Sequence, residues 1–468
     1  MEASPLGISF GSINTGLPKD IVQQLMEAER IPIKKMEGRK EKIVSKKNLL
    51  AELINLATKI RDDLSKTSGS KNFRELKVNT NDSLVSVELD KGKVKPGNYN
   101  LEVLELAQKS SGMSSGFPDK NESFVGVGYI QYTLPNGESK EVYIDSDHST
   151  LEGIASVINR DDSHGLSATV VNDGSGSERP WRLALSVEGT GDENKVEWPY
   201  FYFIDGDYDM FIEFERKATD AKVKFNGFEI EYPSNKIDDL IPGAVIDLKR
   251  AKPGEEFSVE ITEDIDAISL KIGTLIESIN AVIGFIKQQN SLDQHSDTSS
   301  TLGGDLVLQT MESRIRGMVF EDVSTSQGLR RVGDLGIVFQ KSGLLEMDSK
   351  KFQNLLAKDY NLVSDILVGR FDSEGNKIPG FVDNLQKSID GVLRSPDGLL
   401  RSRNQSLQSN ISQIDRRIGQ KERFLEQKEK TLKDKFARLE STISRIKGQG
   451  AGLSALGQSG FNPTTQLG

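Results

Sequence analysis

The sequence predicts a multi-domain α+β protein: both chain ends build a helical stalk with coiled-coil-like terminal helices, and the middle forms inserted β-rich head domains. Three observations support this fold class. The 468 residues exceed what one hydrophobic core normally organises. Apolar residues recur at heptad spacing near both ends, and between the ends they alternate with period two.

The N-terminal part shows a heptad row on one long predicted helix. Its apolar members are Met36, Ile43, Leu50, Ala57 and Leu64. Pro18 fits the first turn of a shorter preceding helix, whose apolar face includes Leu25 and Met26. Pro32 lacks the backbone N–H that a helix interior needs, so it is expected to separate the two helices.

The C-terminal part carries a stricter row, with an apolar residue at every seventh position. This row is Ile411, Ile418, Leu425, Leu432, Leu439 and Ile446. The alternate core positions after Ile414 are polar, at Lys421, Lys428, Lys435 and Thr442. Because a self-sufficient coiled coil needs both rows apolar, the helix beyond Ile418 is expected to bind a partner. The alternative is a surface helix packed on its own subunit.

The residues predicted to contact a partner lie on the apolar faces of these terminal helices. They are Leu25, Met26, Ile418, Leu425, Leu432, Leu439 and Ile446. Helices with so little buried surface are marginal alone, so residues 1 to about 35 and those beyond about 421 are expected to be mobile in the free subunit. Residues 448–468, rich in Gly, Ser, Gln and Thr, are predicted to be disordered when free.

The middle of the chain, from about 72 to 261, shows the alternation typical of strands, for example at 84–89 and 99–104. Asn136-Gly137 predicts a hairpin turn between strands at 129–132 and 141–144, because this dipeptide adopts the positive φ angles that such turns require.

Helix resumes near Asp264, where apolar residues from Ile265 to Ile286 are spaced by three and four. Another helix is predicted at about 305–319. Residues 337–339 and 344–347 predict a hairpin around Gly343, after which Asp348 can cap a further helix.

These patterns predict four parts. Residues 1–45 and 421–468 are terminal helical segments, flexible when free, and residues 46–71 and 263–420 form the helical stalk domain. Residues 72–109 and 219–262 form the inner β-rich head domain, and residues 110–218 form the outer β-rich head domain.

Composition and motifs predict a protein that is not an enzyme. Cysteine is absent, and His148, His164 and His295 are isolated from one another. The segment 205–209 begins like a calcium loop, but Met210 and Arg216 stand where that loop needs its glycine and its bidentate glutamate. The sequence therefore predicts no catalytic residues, no cofactor and no metal site.

Charge and hydropathy narrow the class further. The net charge of −10 argues against nucleic-acid binding, which needs a basic face. No apolar stretch has the length and lack of charge that a membrane span requires, and residues 1–16 lack the basic start and apolar core of a secretory signal peptide.

Several segments, taken in order, resemble the flagellar filament cap family, also called flagellar hook-associated protein two. They are Gly16-Leu17-Pro18 with Pro32-Ile33, Lys95-Pro96-Gly97-Asn98-Tyr99, Phe225-Asn226-Gly227, Leu240-Ile241-Pro242-Gly243, Leu335-Gly336-Ile337, Gly343-Leu344-Leu345 and Phe436-Ala437-Arg438-Leu439-Glu440. From about 110 to 218 there is no resemblance, which suits a family whose outermost domain varies widely.

The resemblance implies a homo-oligomeric ring at the distal tip of the growing flagellum that promotes folding and polymerisation of exported flagellin. It also implies secretion through the flagellar type III export apparatus with its chaperone, an extracellular location, and contact with hook–filament junction proteins, without membrane insertion. The alternatives are a hook–filament junction protein and a stalked surface adhesin, which would normally carry a signal peptide or a membrane anchor.

Overall fold

The computed structural model describes residues 21–161, 163, 165–291 and 299–459, and it divides into two compact units. The helical unit comprises the described residues up to Gly69 and from Ser269 onward, and the β unit comprises Ser70–Ile268. Both ends of the described chain belong to the helical unit, so the β unit is an insertion in it. The predicted α+β class is confirmed.

The helical unit begins with α1 (Ile21–Thr67), and the β unit follows. Its elements, in chain order, are α2 (Ser70–Phe73), β1 (Leu76–Asn79), β2 (Val85–Leu89), β3 (Gly97–Glu105), β4 (Lys109–Ser114), β5 (Val127–Thr133), β6 (Ser139–Ile144), α3 (Leu151–Asn159), β7 (Leu166–Asn172), β8 (Trp181–Thr190), β9 (Glu197–Ile204), β10 (Ile212–Arg216), β11 (Ala221–Phe225), β12 (Phe228–Tyr232), β13 (Lys236–Ile241), β14 (Ala244–Leu248) and β15 (Phe257–Glu263).

The residues assigned to the inner head domain form two antiparallel sheets. The strand orders are β1-β15-β3-β11-β12 and β13-β14-β2. One cluster of buried side chains from both sheets, including Val103, Val223, Ile246 and Ile261, makes their common core. Alternation along each strand puts these residues on the inward faces.

The residues assigned to the outer head domain have a hydrophobic cluster of their own, built from two further sheets and α3. The strand orders are β10-β4-β8-β7 and β6-β5-β9. Buried Ile130, Ile154 and Leu185, from β5, α3 and β8, belong to one cluster. The predicted hairpin is confirmed: β5 pairs with β6, Thr133 lies opposite Ser139, and Gly137 in the turn has a φ of 81°.

The outer head domain is joined to the inner head residues where the chain enters and leaves it. Gln108 and Thr219 form an antiparallel bridge, in which the Gln108 N–H donates to the Thr219 carbonyl at 2.9 Å and the Thr219 N–H donates to the Gln108 carbonyl at 3.3 Å. The two ends of the insertion are therefore neighbours.

Deleting residues 110–218 and joining the ends through a short Gly-Ser linker is expected to leave the rest of the chain folded. Neighbouring ends require only a short closure, and the core of the inner head residues lies outside the deleted segment. Circular dichroism should retain the helical signal, and thermal unfolding of the remainder should stay cooperative. A shortened chain that unfolds without cooperativity would show that the two cores depend on each other.

The helical unit continues after the β unit. Its elements are α4 (Ile265–Asn290), whose first turn belongs to the β unit, α5 (Leu306–Phe320), β16 (Val323–Thr325), β17 (Gly328–Arg330), β18 (Ile337–Phe339), β19 (Leu345–Met347), α6 (Ser349–Lys358), α7 (Tyr360–Val368), β20 (Arg370–Phe371), β21 (Lys377–Ile378), α8 (Phe381–Leu393) and α9 (Leu399–Ser459).

The predicted helices and hairpin of this region are confirmed. Asp305 caps α5, Asp348 caps α6 by accepting from the Lys351 N–H at 3.0 Å, and β18 pairs with β19. Residues 448–459 belong to α9, so the prediction of disorder is wrong there, and residues 460–468 lie outside the described residues.

The prediction that no apolar stretch is long and uncharged enough to cross a membrane is wrong for α4, the one described helix that meets this test by length and composition. However, 56% of its most apolar window is buried inside the protein. The buried Ser278 hydroxyl on α4 donates to the Asp63 carboxylate on α1 at 2.6 Å. The Asn280 side chain pairs with the backbone of Leu345 in β19 through both its oxygen and its nitrogen. Such polar contacts fix α4 inside the helical unit.

α1 is continuous from Ile21 to Thr67, so the prediction that Pro32 separates two helices is wrong. A proline inside a helix costs about 3 kcal/mol through its lost hydrogen bond and its ring. The burial of Met26 and Ile33 on either side of Pro32 offsets this cost, since each fully buried side chain of this size contributes roughly 1.5 to 3 kcal/mol. Tertiary packing therefore overrides the local preference, and Pro18 lies outside the described residues.

Candidate partner-contact interface

The residues predicted to contact a partner lie on a pair of helices, α1 and α9, that run antiparallel. The direction follows from three polar contacts, in which Lys47 bonds Gln408 at 2.5 Å, Lys40 pairs with Asp415 at 2.7 Å, and Glu29 pairs with Lys428 at 2.9 Å. Residues earlier in α1 therefore meet residues later in α9.

Part of the heptad row of α9 is covered by α1 of the same chain. Leu425 is 3% exposed and forms a buried cluster with Met26 and Ile33. The half-buried residues packed around this cluster are Val22, Met36, Ile418 and Leu432. From Ile418 to Leu432 the structure therefore supports the alternative, a helix packed on its own subunit, because α1 continues through Pro32 and covers this stretch.

The other residues predicted to contact a partner are exposed to solvent. Leu439 is 44% exposed, Ile446 is 60% exposed, and Leu25 on α1 is also exposed. Within the part of the chain that the structure describes, α9 thus extends its apolar row beyond the stretch that α1 covers. The sequence pattern predicted this row, and the structure divides it into a covered and an uncovered half.

The lysines at the alternate core positions have a structural explanation. Lys428 pairs with Glu29 of α1, and this hydrogen bond lowers the pKa of the Glu29 carboxyl. The ammonium groups of Lys421 and Lys428 lie 5.0 and 6.0 Å from the ring centroid of Phe424. Long side chains of this kind cover apolar surface with their stems and hold their charges at the rim. Lys421 and Lys428 therefore suit the border of the contact between α1 and α9.

A groove of about 700 Å³ lies between α1 and α9 near the start of α1. Its apolar lining includes Val22, Met26, Phe436 and Ala437, and charged side chains such as Glu429 border it. An apolar floor with a charged rim is the surface onto which an amphipathic helix packs. The sequence pattern missed Phe436, which lies outside the strict seven-residue row.

The possible metal ligands and the histidines were also located in the structure. Among them, no group of three or more His, Cys, Asp or Glu could hold a metal ion. His148 is bonded through Nδ1 to Asp145 at 2.7 Å, which lowers the pKa of the Asp145 carboxyl, and its Nε2 lies 3.1 Å from Arg160. His164 and His295 lie outside the described residues.

A β unit inserted into helical chain ends, with a partly exposed apolar row on the terminal helix pair, is an architecture suited to assembly with other chains. Comparison with protein families makes this specific. The profile of the flagellar hook-associated protein 2 N-terminus matches residues 16–110, and that of the C-terminus matches residues 218–448. The chain belongs to the flagellar hook-associated protein 2 family. The prediction of a flagellar filament cap protein is thereby confirmed.

This chain is similar to individual members of the family. The B-type flagellar hook-associated protein 2 of Pseudomonas aeruginosa is 22% identical over 65% of this chain, and the match spans 66% of that relative. The flagellar cap protein FliD of Bdellovibrio bacteriovorus is 44% identical over 39% of this chain and 99% of the solved chain, with a TM-score of 0.36. The D1-D2-D3 domains of the Escherichia coli cap protein FliD share the fold, with 21% identity, coverage of 77% of this chain and 100% of the solved chain, and a TM-score of 0.59.

These matches do not favour the two alternatives, a hook–filament junction protein and a stalked adhesin. The matched ranges also leave residues 111–217 between them. That gap covers almost the same residues as the segment in which the sequence resembles no part of the family.

Proposed function

We propose that copies of this chain form a ring at the distal tip of the growing flagellum and promote the folding and polymerisation of exported flagellin, without catalysis. The observation that carries the proposal is the apolar row of α9, which continues through Leu439 and Ile446 beyond the cover of α1. A ring needs attachment to the filament and to its neighbours, and an uncovered heptad row on a preformed helix pair offers such attachment.

The covered half of the row supports this role. Burial of Leu425 against Met26 and Ile33 holds the two helices together before any partner arrives. A preformed pair loses less conformational entropy on docking than a disordered segment would. In the proposed assembly, the uncovered half packs against a helix of flagellin or of an adjacent cap subunit.

The division of the chain into terminal segments, stalk, inner head and outer head is part of the proposal. Its support is that the inner and outer head residues form separate hydrophobic clusters, and that α1 and α9 pair near the chain ends. The heads would form a lid beneath which an emerging flagellin subunit folds in a confined space. The proposed function also includes secretion through the flagellar export apparatus with its chaperone. It further includes an extracellular position at the tip and contact with junction proteins.

A strain of the native bacterium that lacks this gene tests the function. We expect few or no filaments on such cells, and monomeric flagellin in the medium, because export continues while polymerisation fails. Re-expression of the full chain should restore filaments, and native mass measurement of the purified chain should show a closed oligomer. Normal filament number and length in the deletion strain would contradict the proposed function.

A further inference from the structure

One sheet of the outer head domain carries tyrosines on the face that points away from its core. On the sheet β6-β5-β9, Tyr129 lies opposite Tyr143 on one side and Tyr202 on the other. Tyr200 lies opposite Gln131 in the next row. The ring centroids of Tyr129 and Tyr202 are 4.8 Å apart, and those of Tyr200 and Tyr202 are 6.4 Å apart. We call these four tyrosines, with exposed Ile204, the tyrosine face.

The tyrosine face is not explained by the fold of its own domain. Ile130, Val142 and Ile144, which alternate with the face residues, already fill the core beneath the sheet. Tyr143 is 67% exposed and Tyr200 is 71% exposed. When a sheet has two apolar sides and one of them packs on the core, the other side is available to bind another molecule.

The size of the tyrosine face fits a protein partner. At roughly 200 Å² for each tyrosine, the exposed fractions of the four rings leave about 450 Å² uncovered. That is more than half of the roughly 800 Å² that each partner buries in a standard interface. Tyrosine is also enriched at protein interfaces, because its ring packs while its hydroxyl bonds.

The other sheet of the outer head domain also exposes an aromatic side chain on the face that points away from the core. On the sheet β10-β4-β8-β7, Phe214 lies opposite Met113, which in turn lies opposite Ala184. Phe214 is 56% exposed, and the guanidinium of Arg182 lies 5.2 Å from its ring centroid. Arg182 is held there by ion pairs to Asp173 and Glu213. We call this surface the Phe214 face.

The two faces lie on different sides of the outer head domain. The inward faces of both sheets contribute to one hydrophobic core, so both outward faces point away from it. A closed ring of more than two identical subunits is built from heterologous contacts, in which one surface of each subunit meets a different surface of the next. The outer head domain therefore offers both of the surfaces that such a contact needs.

We propose that the tyrosine face of one copy packs on the Phe214 face of the next copy and so links the outer head domains around the ring. This inference rests on the proposed ring. It assigns one subunit contact to the outer head domain, separate from the contact of the uncovered row of α9.

Replacing the two most exposed tyrosines tests the contact. The full chain with Tyr143→Ser and Tyr200→Ser is expected to fold normally, since neither side chain belongs to the core cluster. Sedimentation velocity over a concentration series should show that half of the chains assemble only at an about 100-fold higher protein concentration. The reason is that two large apolar contacts are lost at every interface. Phe228→Ser is the matched control: Phe228 is an exposed aromatic residue on β12, outside both faces, and its variant should assemble within about twofold of the unchanged chain.

The absence of cysteine from the natural sequence permits a second test that identifies the occupant. Full-length chains carrying either Tyr143→Cys or Met113→Cys are prepared under reducing conditions, mixed at a concentration at which they are monomeric, concentrated so that they assemble together, and oxidised. We expect disulfide-linked dimers in the mixture and none with either variant alone, because the contact joins unlike faces. Cross-linking of Tyr143→Cys chains to one another would overturn the proposal in favour of a symmetric contact.

The remaining outcomes separate this inference from the proposed function. If the unchanged chain forms rings, while the serine double variant assembles equally well and the cysteine mixture does not cross-link, the assignment of this contact is wrong and the ring stands. If the unchanged chain stays monomeric at every concentration, the proposed ring fails. A carbohydrate is the other possible occupant. If the unchanged chain binds a soluble neutral polysaccharide, and the serine double variant loses this binding but still assembles, the tyrosine face binds carbohydrate and the proposal is overturned.

Discussion

A chain with Leu439→Ser and Ile446→Ser is expected to fold normally and to leave cells with few or no flagellar filaments. Leu439 is 44% exposed and Ile446 is 60% exposed in the described structure, so their loss removes much less internal packing than the loss of a buried residue would. Burying the exposed part of each against a partner contributes roughly 1 kcal/mol. Together they would weaken docking about 30-fold for each subunit, and the loss is repeated in every subunit of a ring. Export does not depend on this contact, so flagellin should accumulate in the culture medium as monomers.

The measurement compares flagellin in the culture supernatant with filaments counted by electron microscopy. A charge-neutral control carries Asp434→Ser and Arg445→Ser, which change exposed positions of α9 near the two replaced residues, outside the apolar row and outside the lining of the groove. The control should build filaments normally. Normal filaments in the Leu439 and Ile446 variant, with the protein shown to be exported, would mean that the uncovered row makes no functional contact.

The terminal helix pair shows how far the sequence could predict the interface. Heptad spacing located both helices and every apolar residue of the row, because a periodic face on a helix is a local property. The cover over Leu425 could not be predicted, since it depends on the extension of α1 through Pro32. That extension balances a local cost of about 3 kcal/mol against burial between residues nearly 400 positions apart, and only the folded chain fixes the outcome.

The tyrosine face shows a second limit. The β5–β6 hairpin followed from Asn136-Gly137, so the sequence placed Tyr129 and Tyr143 on adjacent strands. The segment Tyr200-Phe201-Tyr202-Phe203-Ile204 is apolar without alternation, which is the local signal of a strand with two apolar faces. The pairing of β9 with β5 joins distant segments, and no local pattern specifies it. The assembled face could therefore not be predicted, although its members are visible in the sequence.

Replacing Leu425 with alanine is expected to open the covered half of the helix pair while the rest of the chain stays folded. Leu425 is buried against Met26 and Ile33, and leucine-to-alanine changes at such sites cost about 2 to 5 kcal/mol. The cluster is small and lies near the chain ends, so the lost energy should appear as local unfolding of about 20 to 36 and of 418 onward. Amide exchange in these stretches should accelerate by a factor on the order of 10² to 10³. The amides of the inner head core around Val223 should keep their protection, because they belong to the separate β unit.

Leu439→Ala is the matched control, since Leu439 lies two heptads further along the same row and is exposed. Amide exchange in this variant should match that of the unchanged chain. Equal exchange in both variants would mean that Met26 and Ile33 do not hold α9 in solution. Fast exchange confined to the Leu425 variant would establish that the chain itself pairs this part of the row, which leaves Leu439 and Ile446 as the positions where a partner completes it.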